Sequence, residues 1–340
     1  MQNKIHRRGF LGKSALAAGT AGLAAAGAAD VAGAAPAEPA KEKTTKAEDQ
    51  PGRVAMPYGK IGPLKISRLI LGSNLMGGYA HDRDLVYVSG LMRAYNTEEK
   101  ILDTLERAES LGINTLSQGR PELVRKYNAE RGGHMQQILP VRLEARDDVP
   151  AAKARIREAL DAGAAALYVY GRSGDLLVRD GRVDLIGKTL DLAREAGAVI
   201  GIGGHSLRVV VDCEKAGLKP DFYYKTFHDD DYWSATPKEH RKDFCWYDGI
   251  KNDYRQFHDN MWCLDPEETA EVMRNVDAPW LAYKVLAAGA YHPRQGFAHA
   301  FRNGADFLVV GMFDYQLQED VEIATRLVNR LTKRDRPWRG

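Results

Sequence analysis

From Arg68 onward, short apolar runs alternate with segments whose apolar residues recur at helical spacing, a pattern that predicts a parallel sheet covered by helices. Eight strands are legible: Arg68–Gly72, Ile113–Ser117, Gln137–Leu143, Ala165–Tyr170, Ala198–Gly203, Asp221–Lys225, Trp280–Val285 and Asp306–Gly311. Helix starts are marked by Asn96-Thr97-Glu98-Glu99 and by Asp265-Pro266-Glu267-Glu268, each with a capping side chain and an acid within the first turn. Gly112, Gly163, Gly197, Gly217 and Gly304 each sit just before a strand, where a helix ends most easily in the left-handed conformation. Upstream, Tyr58–Ile66, with Gly59 and Gly62-Pro63, reads as a hairpin that would plug the bottom of a barrel. The longest connection, Thr226 to Leu264, follows strand six, and connections of that length usually carry function. The pattern therefore predicts an α/β chain with one domain at 56–335, a (β/α)8 TIM barrel with an N-terminal β-hairpin plug and a long loop after strand six.

Composition narrows the function classes. The 340 residues carry 48 basic against 46 acidic side chains with 44% apolar content, and no basic stripe supports nucleic-acid binding. Residues 1–35 read as a twin-arginine signal peptide: Arg7-Arg8 precedes Phe10-Leu11, an Ala/Gly/Leu run covers Ala15–Ala29, and Ala32-Gly33-Ala34 offers a cleavage site. That run is too short and glycine-rich to be a transmembrane segment. Residues 36–55, with Pro36, Pro39 and Pro51, read as a flexible linker. The expectation is folded export by the twin-arginine machinery to the periplasm. In that compartment Cys245 and Cys263 have the opportunity to pair, which spacing alone leaves open, while Cys213 reads as a small core residue.

Several segments in order resemble the aldo/keto reductase family. Tyr58-Gly59-Lys60-Ile61-Gly62 leading into Arg68-Leu69-Ile70-Leu71-Gly72 is similar to its hairpin and first strand, and Ala108–Thr115 to its approach to strand two. Trp280-Leu281-Ala282-Tyr283-Lys284-Val285-Leu286-Ala287-Ala288-Gly289 resembles strand seven, and Val309-Val310-Gly311 the end of strand eight. The resemblance implies an Asp, Tyr, Lys and His set for hydride chemistry, because hydride delivery to a carbonyl needs a matched proton donor. This chain departs from it. Ser117 stands at the aspartate position, Gln118–Val124 contains no tyrosine, strand three offers Arg142 and Glu144, Gly171 replaces the histidine, and Gly203-Gly204 aligns with the pair that clamps the nicotinamide amide. NADP is therefore not expected from the residues, and the cofactor stays unknown, with a divalent metal open.

In a barrel of this kind chemistry sits at the C-terminal ends of the strands. Lys225 and Lys284 each end an aromatic-rich strand, where a partly desolvated amine works as a base or forms a Schiff base, or stands as an ion-paired structural lysine. His205 follows Gly201-Ile202-Gly203-Gly204, whose glycines would let a ligand approach the backbone. His228 lies beside Asp229-Asp230-Asp231, and Glu144, His205 and His228 form a candidate metal set, although no tight ligand spacing supports it. Glu144 and Arg172 are candidates for positioning substrate groups. Asn74, Tyr170, Trp233, His258 and Trp262 are candidate substrate contacts, since aromatic faces stack on sugar rings while polar neighbours bind hydroxyls. Among the loop aromatics, Trp233 is the first expected to face the pocket. Asp314, before the last helix, would repel an anion there. The leading expectation is an exported enzyme acting on a carbohydrate or related polyhydroxylated small molecule by lyase, isomerase or hydrolase-type acid/base chemistry. The rivals are an NADP-dependent oxidoreductase with a rearranged active site and a non-catalytic sugar-binding protein.

Overall fold

The computed structural model describes residues 55–81, 85, 87–246 and 258–340. The twin-arginine segment and, apart from Ala55, the linker lie outside the described residues, as does the middle of the long loop. Strands β1 (Tyr58–Ile61) and β2 (Leu64–Ser67) form an antiparallel hairpin. They are followed by β3 (Leu69–Gly72), β4 (Thr115–Ser117), β5 (Gln136–Val141), β6 (Ala166–Val169), β7 (Ile200–Gly204), β8 (Tyr223–Thr226), β9 (Trp280–Tyr283) and β10 (Phe307–Gly311). These eight close into a parallel barrel in the order β10-β3-β4-β5-β6-β7-β8-β9. The chain is thus a (β/α)8 barrel, and each expected strand is present within a few residues of its expected bounds.

The apolar runs become strands because both faces are buried. Along β6, Tyr168 points into the barrel with Ile70, Ile138, Tyr224, Leu281 and Val309. Its neighbours Leu167 and Val169 join the layer between strands and helices. The hairpin adds Ile61 and Ile66 to the interior cluster, which makes it the plug the sequence suggested. The five helix-ending glycines all have positive φ, from 72° at Gly217 to 107° at Gly304, where a side chain would be strained. Thr97 and Asp265 cap their helices by accepting from the amides of Lys100 (3.3 Å) and Glu268 (2.9 Å).

Beyond the last helix (Leu317–Arg330) the chain returns beneath the barrel. Arg336, fully buried, pairs with Asp306 at 2.5 Å and donates to the carbonyls of Gly304, Val276 and Ala278. Arg68 donates to the carbonyls of Asp306 (3.0 Å) and Gly340 (2.7 Å). Hairpin and tail together close the N-terminal end, and the strands' C-terminal ends carry the cavity. No helix among the described residues is long and apolar enough to cross a membrane. Cys245 and Cys263 are not bonded to each other, and Cys213 is a buried thiol as expected.

Candidate active site

A cavity of about 730 Å³ opens where β3, β4, β6, β7, β9 and β10 end. Its floor is built from three interior tyrosines: Tyr168 stacks on Tyr224 at 4.5 Å, and Tyr224 meets Tyr283 at 4.6 Å. The Tyr224 hydroxyl shares a hydrogen bond with Ser117 Oγ (2.8 Å), and Tyr283 donates weakly to the Gly204 carbonyl (3.4 Å). The Tyr168 hydroxyl is buried with no hydrogen-bond partner among the described residues. Burial pushes its pKa well up, so it stays a neutral donor.

The side wall holds a buried acid and imidazole. Asp175, on the helix Gly171–Arg179 after β6, accepts from His205 Nδ1 (2.7 Å), the His205 amide (2.9 Å) and the Ser206 amide (2.8 Å). That helix seats directly on β7, because a Cβ at Gly174 would fall 2.0 Å from the Gly203 carbonyl oxygen. A carboxylate on Nδ1 fixes the proton there and leaves Nε2 as the acceptor of a ring whose side chain keeps 9% exposure at the cavity wall. Burial lowers the His205 pKa below its ordinary value, and Asp175 partly offsets that fall. Trp246 (4.6 Å), Trp262 (4.7 Å) and Tyr283 (5.3 Å) hold the ring in place.

Across the same Trp262 lies a second basic group. Lys284 Nζ sits 4.2 Å from the indole centroid and donates to His81 Nε2 at 2.8 Å. Asn74 Nδ2 donates to the same nitrogen at 3.3 Å, so His81 carries its proton on Nδ1. Burial, with Lys284 and His205 adding to it, holds the His81 pKa down at about 2. Burial lowers that of Lys284 to about 7, opposed only weakly by the charge of Asp259. Among the described residues no carboxylate pairs with this amine. The backbone here is strained: His81, Gln118, Lys284 and Ala288 all line the cavity and all have positive φ, a conformation that non-glycine residues keep only where their surroundings enforce it.

Of the residues singled out from sequence, the structure brings Asn74, Tyr170, Arg172, His205, Trp262 and Lys284 to the cavity. Lys225, Glu144, His228, Trp233 and His258 are not among its lining residues. Lys225 is buried, with Nζ donating to Thr226 O (2.8 Å) and Oγ1 (2.9 Å); that hydroxyl also bonds the carbonyls of His205 and Trp262, so the amine braces the wall rather than facing the ligand. His228 is fully buried, and its Nε2 accepts from the amides of Trp262 and Cys263, both at 3.0 Å, which leaves no lone pair for a metal or a substrate proton. Glu144 is exposed, and its backbone amide bonds Asp147. The expected metal set of Glu144, His205 and His228 therefore does not form, and no metal-binding cluster occurs among the described residues. Trp233 is 94% exposed, whereas Trp246 and Trp262 of the same loop line the pocket. His258 ties its loop to Ser234 and Thr236. The glycines before His205 admit protein, not ligand: Cβ atoms at Gly201, Gly203 and Gly204 would meet Phe222, Val169 and Val209. Asp314 is engaged by Lys100 (3.1 Å) and Tyr95 (2.6 Å).

Sequence reasoning missed Asp175, His81 and Tyr168. For Asp175 a signal existed, since an aspartate between Gly174 and Leu176-Leu177-Val178 sits on an otherwise buried helix face. Nothing in the sequence marks His81, and Tyr168 reads as ordinary strand core.

Comparison with known proteins is consistent with this architecture. Two solved structures of a protein assigned as an aldo-keto reductase from Pseudomonas aeruginosa superpose with TM-scores of 0.53 and 0.51 at 17% identity, each covering 80% of this chain and 94% of the other. What is shared with them is the (β/α)8 barrel fold. No family model matches the chain. A UDP-N-acetylglucosamine 1-carboxyvinyltransferase from Nitrobacter hamburgensis is 28% identical over 123 residues, 36% of this chain. The match spans about a quarter (24%) of that relative's length.

Proposed function

We propose that this chain is an exported, periplasmic enzyme that moves protons on a small polyhydroxylated molecule bearing a carbonyl or an equivalent acidic C–H, in a lyase, isomerase or hydrolase-type reaction. The observation that carries the reading is the Asp175–His205 pair, whose Nε2 is the open nitrogen of a ring at the wall of the cavity that Lys284 also lines. A neutral imidazole held in one tautomer by a buried carboxylate is a general base, and a lysine with pKa about 7 exchanges protons near neutrality. The Trp262 face, with Asn74 and Gln118 nearby, suits a ring or chain of hydroxyls. Of the two candidate lysines, Lys284 and not Lys225 lines the cavity. The Arg7-Arg8 leader supports export.

Nicotinamide dinucleotide does not fit these residues. Where the resemblance implies an amide clamp stand Gly203 and Gly204, filled against Val169 and Val209. The implied histidine position is Gly171, whose Cβ would fall 2.6 Å from Tyr283 Oη and 3.2 Å from His205 Cε1, so the ring from β7 occupies that space.

The test is deuterium incorporation. The folded protein, incubated in D2O with a panel of aldoses, ketoses and sugar acids, is expected to exchange the proton α to the carbonyl of at least one, followed by NMR. His205→Asn should slow that exchange by about 10²–10⁴-fold without shifting Tm by more than a few degrees. Equal exchange in His205→Asn and the parent would sink the assignment, and a sugar-induced melting shift with no exchange would favour a binding protein.

A further inference from the structure

We propose that Lys284 is a covalent site, whose amine condenses with the carbonyl carbon of an aldehyde or ketone substrate in the cavity. The proposal rests on the proton-transfer reading above and narrows its substrate class to compounds with a free carbonyl.

Three observations of geometry support it. The amine lines the cavity, and among the described residues no carboxylate pairs with it; its neighbours are the Trp262 face at 4.2 Å and an imidazole acceptor at 2.8 Å. Structural lysines are ordinarily ion-paired, and this one, half-buried at the cavity wall, is not. Lys284 also breaks strand geometry. Residues of β9 alternate between the interior and the helix layer, with Tyr283 inward, so a continued strand would turn the next side chain away from the cavity. A φ of 58° at Lys284 ends that alternation, and the side chain lies at the cavity wall. Finally, His205 packs on the same indole at 4.7 Å, so a base and the amine line one cavity around a shared aromatic wall. Burial supports the chemistry further: with a pKa of about 7 much of the amine is unprotonated at neutral pH, and His81, held to about 2, stays a neutral acceptor of its N–H.

The step balances without any oxidant or metal. The Nζ lone pair forms the C–N bond while the carbonyl π pair moves to oxygen, which takes a proton lost by the nitrogen and gives a neutral carbinolamine. A second proton, from solvent, adds to the hydroxyl; the nitrogen lone pair then expels water, which breaks the C–O bond and leaves a protonated imine. His205 Nε2 then removes the α-proton, and the C–H pair flows toward nitrogen as an enamine. Protonation at carbon and addition of water reverse the sequence and free the lysine.

Borohydride reduction separates this step from proton transfer. The full chain is incubated with dihydroxyacetone or D-glyceraldehyde, reduced and digested, and adducts are located by peptide mass spectrometry, with deuterium exchange of the same probes followed in parallel. The expected result is an adduct on Lys284 forming about tenfold or more faster than on exposed lysines such as Lys188. It should be absent in Lys284→Arg and retained in His205→Asn, which loses the exchange. Exchange in the parent with no preferential adduct on Lys284 overturns the covalent site and leaves the acid/base reading standing. Neither exchange nor adduct overturns both, and an adduct without exchange upholds Lys284 while removing His205 from the reaction. Circular dichroism of Lys284→Arg and of Lys284→Met guards against loss of fold as the cause of a missing adduct.

Discussion

His205 and Tyr168 show how single side chains acquire roles from their unpaired atoms. His205 has one nitrogen committed to Asp175 and one open, and the commitment gives the open one its lone pair. Tyr168 is the reverse case: a hydroxyl buried at the floor of the cavity with no acceptor among the described residues. Leaving such a group unsatisfied costs about 1–3 kcal/mol, which a bound hydroxyl or carboxylate oxygen would recover. Tyr168→Phe should therefore stabilise the ligand-free protein by about 1 kcal/mol, a rise of roughly 2 °C or more in Tm. It should also raise KM for the substrate by about tenfold, with little change in kcat. Thermal melts with and without ligand check both halves, and a destabilised variant would mean that the hydroxyl has a partner after all.

At the scale of elements, the strands were legible because a barrel strand is apolar on both faces and its helix ends in glycine, and both features are local. The cavity wall was not. Lys225 and Lys284 follow similar aromatic runs, yet β8 continues in strand geometry through Lys225 and Thr226, while β9 ends in a left-handed residue at Lys284. Local sequence does not separate the two cases, because the strain is imposed by tertiary contacts. Trp233 and Trp262 are the same residue type in one loop, and only the fold makes the first 94% exposed and the second a wall. The C-terminal tail is a further element that pattern reading passed over, since nothing local in its charged residues marks a buried pair. Arg336 instead makes an ion pair with Asp306 at 2.5 Å, closer than that of Arg334 at 3.6 Å, with both side chains at 0% exposure. Removing one member of such a pair strands the other, so Arg336→Met should lower stability by about 3–5 kcal/mol. Chemical denaturation would register this as a lower midpoint at unchanged slope. A change below about 1 kcal/mol would show that the tail is an ornament to a barrel closed by its hairpin alone.

Across the whole molecule, one end of the barrel is spent on closure and the other on a cavity whose wall is strained and partly charged. Gln118, His81, Lys284 and Ala288 hold left-handed backbone at that end, and partial burial lowers the basicity of the Lys284 amine. These features oppose stability, and the amine's share depends on pH. The folded value for Lys284, about 7, lies below the ordinary 10.5, so between those values the unfolded chain holds a proton that the folded chain has released. Stability then rises with pH across that window, and the full burial cost is felt below pH 7. Lys284→Met removes the titration: the variant should be more stable than the parent near pH 6, by roughly 2–4 °C per kcal/mol recovered, and the gap should shrink as pH climbs toward 10. Any reaction needing the neutral amine should run the other way in the parent, increasing through pH 7 as the proton leaves. Melting curves for parent and variant from pH 6 to 10, set beside the pH profile of α-proton exchange, test both at once. Parallel stability curves would mean that the amine is solvated and ordinarily basic, and the same result would remove the reason for a rise in rate near neutrality.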